Sequence, residues 1–117
     1  MADDLTPGDV IWVVFDPVVG REQAGRRPAV VISSGAYNLS IPNVVIVVPV
    51  TTRDRGLPHH VQVRGPVGLK VAGFAMTEQP RTVDRERIHG SAGRIDASTL
   101  EEIRGWLGDF LGLGTRR

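Results

Sequence analysis

Cysteine is absent from this chain, which excludes disulfides, thiol catalysis and cysteine-ligated zinc together and fits a reducing compartment. Long apolar runs are lacking too. The longest, Val44 to Val50, is far too short to span a bilayer. Met1-Ala-Asp-Asp4 shows none of the basic-then-apolar pattern of a secretory leader, so the expectation is a soluble, cytoplasmic protein. Lysine is nearly missing: of 14 basic residues only Lys70 is lysine and the rest are arginine. Arginine carries a planar fork matched to phosphate oxygens and stays charged everywhere, although a GC-rich coding bias would give the same pattern. With a formal net charge of +1, bulk electrostatics do not announce a nucleic-acid binder.

What is present fits one domain over residues 1–117, structured from about 6 to 113, with 1–5 and 114–117 expected to be flexible. Val10 to Phe15, Ala29 to Ser33 and Val44 to Val50 are short β-branched runs bounded by turn residues, the pattern of buried strands. His60 to Arg64 alternates with period two, and Gly73 to Glu78 is a fifth candidate strand. Arg81 to Ile88 begins like a strand and predicts a helical turn at Asp84 to Arg87. The one long helix is expected at the end. Ser98-Thr-Leu-Glu101 reads as a capping box, and Leu100, Ile103, Leu107, Phe110 and Leu111 share one helical face. Gly112 and Gly114 close the pattern. This order of elements predicts a mainly β, barrel-like domain with a C-terminal packing helix.

Chemistry-bearing residues concentrate in loops. Asp16 to Pro28 is long for a connection in so small a domain, and such loops tend to be functional or disordered. Its end, Gly20-Arg-Glu-Gln-Ala-Gly-Arg-Arg-Pro28, sets three arginines and a carboxylate before a buried strand. Pro28 biases Arg27 towards extended backbone, so that side chain is launched from a defined position. Thr51 ends the third strand and gains interest only if it faces Arg27 across the sheet. His59 and His60, read as strand neighbours, point to opposite faces, so at most one enters any site. The three histidines lack metal-ligand spacing, and no Asp/Glu cluster makes a two-metal nuclease site. Phosphate-cradling glycine loops and nucleophile elbows are also missing. No metal or cofactor is expected.

Gly8-Asp-Val-Ile-Trp12, Phe15-Asp-Pro17, Gly20-Arg-Glu-Gln-Ala-Gly25, Arg27-Pro-Ala-Val-Val31, Tyr37-Asn38, Val48-Pro-Val-Thr-Thr52 and Glu78-Gln-Pro-Arg-Thr82 occur in an order that resembles the MazF/PemK toxins, from about Thr6 to Leu113. The resemblance implies an SH3-like barrel that forms a homodimer and cuts single-stranded RNA. It assigns catalysis to Arg27 and Thr51, with Glu22 also implicated. Arg21, Gln23, Arg26, Arg53, Gln79 and Arg81 become the expected RNA contacts. Arg21 stands where the family commonly has a small hydroxyl residue. The resemblance further implies a MazE-like antitoxin as partner, with promoter DNA contacted only through that complex. Two other functions share the fold expectation: a CcdB-like gyrase poison and an inactive binding module. The chain ends Gly114-Thr-Arg-Arg117, not in the Trp-Gly-Ile of the gyrase poisons.

Overall fold

The computed structural model describes residues 4–15 and 25–113. Seven strands and two helices follow in the order β1 (Asp9–Val14), β2 (Arg26–Val31), α1 (Gly35–Ser40), β3 (Val44–Thr51), β4 (His60–Gln62), β5 (Phe74–Met76), β6 (Arg81–Asp84), β7 (Ile88–Arg94) and α2 (Ala97–Leu111). All pairings are antiparallel, along the path β4-β5-β3-β2-β1-β7, and β6 branches from the first half of β3. The sheet curls without closing by a strand pair. Instead the segment after β4 runs beside β7, where the Gly68 amide donates to the Ala92 carbonyl and the Asp96 amide to the Arg64 carbonyl. The result is the expected barrel-like β fold with a C-terminal helix.

Alternation along the strands gives the sheet two apolar faces. One gathers Val10, Val30, Val48, Val50, Val61 and Ala75 and is covered by α2 through Ile103 and Leu107. The other gathers Ile11, Val13, Phe15, Ala29, Val31, Val45, Val47 and Val83. β3 supplies both, which is why its sequence is almost continuously β-branched.

Two elements were not anticipated. The short α1 is capped by the Ser34 hydroxyl, which accepts from the Tyr37 amide. Its buried Asn38 donates to the Leu5 and Ser33 carbonyls. β7, Ile-His-Gly-Ser-Ala-Gly-Arg, carries weak strand propensity and is held by β1 through a bulged register. Gly93 is required there: its φ is +112°, and an added Cβ would lie 2.2 Å from the Pro66 carbonyl oxygen.

Several boundaries need correction. α2 starts at Ala97 with Asp96 as its cap, the carboxylate accepting from the Thr99 amide, while the Ser98 hydroxyl only donates back to Asp96. The Asp96 carboxylate also brings full negative charge to the helix N-terminus. Phe110 and Leu111 are largely exposed instead of joining the core, the Phe110 ring lying against His59 and Trp106. Gly112 does close the helix in the left-handed region. At the N-terminus Leu5 packs on the second cluster and Asp4 pairs with Arg85.

Candidate active site

Arg27 and Thr51 lie on the neighbouring strands β2 and β3, near where the pairing between them ends. Arg27 lies opposite Val13 of β1. The β2–β3 register pairs Ala29 with Pro49; continued by two residues, it brings Arg27 level with Thr51. Pro28 has no amide hydrogen to extend the ladder, and on its other edge Thr51 pairs with Phe74 of β5, which in turn pairs with Gln62 of β4. Val13, Arg27, Thr51, Phe74 and Gln62 therefore form one cross-strand row. Period-two alternation puts the row on the face of Ala29, Val31, Val45 and Val47.

The chemistry of the pair is that of two donors. Arg27 is exposed, and among the described residues no carboxylate or carbonyl holds its guanidinium. Thr51 is half-buried, and its Oγ1 accepts the Arg53 amide at 3.1 Å. That bond fixes the side chain from the acceptor side and leaves the hydroxyl hydrogen to donate outward. A fixed hydroxyl beside an exposed guanidinium suits an anion with several oxygens, such as a phosphodiester.

The other anticipated residues divide. Arg81 is opposite Val47 and so on the same face, its guanidinium 4.7 Å from the Phe15 ring centroid. Thr51 is four positions further along β3, roughly 13 Å away, so Arg81 sits on the same face but apart from the row. Arg53 is exposed directly after the Thr51 turn. Arg26, adjacent to Arg27 on the strand, faces the other way, over the Trp12 ring at 5.7 Å with a hydrogen bond to the His89 carbonyl. It does not join the row. An apolar cleft of about 390 Å³ opens on that opposite face, bounded by Trp12, Pro28, Val50 and Leu69. The Gln79 amide group is turned to Glu78. Arg21, Glu22 and Gln23 lie outside the described residues.

Sequence reasoning passed over Phe74 and Gln62, whose strand is only three residues long. It also misjudged the histidines. His59 precedes β4 in a turn, so alternation does not separate it from His60, and both Nε2 atoms converge on Glu78 Oε1, at 3.5 and 3.1 Å. Burial pushes the Glu78 carboxyl up, but hydrogen bonds from His60, its own backbone amide and Gln79 outweigh it. The nearby His60 charge adds to them, and the carboxyl is held below the ordinary glutamate value.

Residues 6–111 match the family described as PemK-like, MazF-like toxin of type II toxin-antitoxin system. The chain is 36% identical over 106 residues to the endoribonuclease toxin MazF of Escherichia coli K12, covering 90% of this chain and 92% of that one. It is 31% identical over 112 residues to the endoribonuclease PemK of Escherichia coli, covering 92% and 83%. Its fold overlays a MazE-MazF crystal structure from Deinococcus radiodurans with a TM-score of 0.79 at 35% identity, covering 94% of this chain and 97% of that one.

Proposed function

The chain belongs to the PemK-like, MazF-like toxin family of type II toxin–antitoxin systems, and from that premise we propose that it is an endoribonuclease that cuts single-stranded RNA at short sequences. The observation that supports the reading is the β2–β3 register, which, continued by two residues, sets the exposed Arg27 level with the half-buried Thr51. The relatives named above are endoribonucleases, which favours RNA cleavage over a gyrase poison or an inactive binding module.

The neighbouring 2′-OH attacks phosphorus and the bond to the 5′ oxygen breaks, leaving a 2′,3′-cyclic phosphate and a 5′-OH. The protein has to align the 2′-OH and stabilise charge on the phosphorane oxygens. Arg27 neutralises that charge and Thr51 donates to a non-bridging oxygen. An arginine holds its proton far above neutral pH and so makes a poor base there. Glu22 is the candidate acceptor of the 2′-OH proton. Arg53 and Arg81 contact flanking phosphates, and Phe74 offers a half-buried ring for a base to stack on. A MazE-like antitoxin covers this groove and promoter DNA is met through it; two copies of the chain form the working unit in the cytoplasm. Among the described residues no helix is long and apolar enough to cross a membrane.

The test is cleavage of single-stranded RNA in excess chelator, with the ends sequenced. Wild type is expected to yield 5′-OH ends, and Arg27→Ala to cut about 100-fold more slowly or worse while still folded. Intact RNA with wild type, or full activity in the variant, overturns the reading.

A further inference from the structure

The geometry points to a binding site for a zinc-class divalent cation formed by His59, His60 and Glu78. Their ligand atoms all lie within 4.8 Å of one another, and the two nitrogen–oxygen separations are 3.5 and 3.1 Å. Zinc bonds of about 2.0–2.2 Å in a tetrahedron put neighbouring ligand atoms roughly 3.4 Å apart. The three atoms thus need only small side-chain rotations to share an ion. Two imidazoles and one carboxylate suit Zn²⁺, Co²⁺ or Ni²⁺, whereas Mg²⁺ and Ca²⁺ prefer all-oxygen sites. Three protein ligands leave a fourth position for water.

The surroundings say what kind of site it is. The His60 side chain is 3% exposed, so one ligand is fixed by packing. His59 packs edge-on against Trp106 and Phe110 of α2, with ring centroids 6.0 and 5.7 Å away. An ion here ties the start of β4 and the turn after β5 beside the helix. The arrangement lacks one feature of tight sites. His60 Nδ1 is buried without a hydrogen-bond partner, and with a metal on Nε2 it keeps a proton that nothing accepts. Such outer partners are typically worth 10–100-fold in affinity, so the ion is exchangeable rather than structural. The site lies at the start of β4, two residues before Gln62 of the cross-strand row, and the ion is assigned no step in cleavage.

The experiment uses the full chain without a polyhistidine tag, stripped with chelator and then titrated with Co²⁺ and Zn²⁺. Four-coordinate Co²⁺ is expected to show strong visible absorption bands that Zn²⁺ abolishes, with a rise in Tm. Glu78→Gln and His59→Ala, both at partly exposed positions, are expected to weaken binding at least about 100-fold, since a direct ligand outweighs an outer partner. His89→Ala is expected to bind like wild type. No such bands at millimolar Co²⁺, or unchanged binding in Glu78→Gln and His59→Ala, overturns the proposal. RNA cleavage measured in chelator is independent of either outcome.

Discussion

Replacing Thr51 by valine removes one hydroxyl and keeps the branched shape that ends β3. In the folded protein that hydroxyl accepts the Arg53 amide at 3.1 Å. Arg53 is exposed, so water can take over the amide, and the stability cost is at most about 1 kcal/mol. For a domain of this size that lowers Tm by roughly 4 °C. If the hydroxyl donates to the phosphorane oxygen, its loss costs about 2.7–4 kcal/mol of barrier, a fall of roughly 10²–10³ in rate. Activity should therefore fall far more than stability. Single-turnover cleavage of a fluorescent RNA, beside thermal unfolding, reads both. Thr51→Ser restores the donor and is expected to recover most of the rate. Arg27→Ala combined with Thr51→Val should cost less than the sum of the two, because both groups act on one phosphate. A Thr51→Val enzyme within a few-fold of wild type, or a Thr51→Ser enzyme as slow as the valine variant, refutes the hydroxyl's role.

Phe74→Ala is expected to weaken RNA binding by about 1–3 kcal/mol if a base stacks on the ring; fluorescence anisotropy with RNA carrying a 2′-deoxy cleavage site would measure it. Ile103 is 0% exposed where α2 meets the sheet, and Ile103→Ala should cost about 2–5 kcal/mol in urea unfolding. Because the Glu78 carboxyl is held below its ordinary value, its pairing contributes stability above the unfolded glutamate value of about 4.3. That contribution is lost as pH falls through the lower folded value. Acid unfolding in chelator should be shallower at this end for Glu78→Gln, and identical acid limbs would dismiss the pairing as a source of stability.

Much of the fold could be read locally. The three long β-branched runs became β1, β2 and β3 because each buries apolar side chains on the sheet whatever its partners. The helix face carrying Ile103 and Leu107 followed from spacing alone. β7 could not be read that way, since its glycine-rich segment is a strand only because β1 and the 63–68 segment supply its hydrogen bonds. The capping residue was misread because Asp96 and Ser98 are both good caps, and only the backbone path chooses between them.

The site divides on the same line. Sequence by itself singled out the candidates for the chemistry: an arginine launched from a proline-fixed position and a hydroxyl at a strand end, set within ordered family motifs. Tertiary structure alone set Arg27 opposite Val13 and Thr51 opposite Phe74 while Arg26 lies over the Trp12 ring. It alone brought His59 and His60 together on Glu78. The reason is physical: pairing register and turn geometry couple residues far apart in the chain, and a shift of one residue would send every side chain of a strand to the other face.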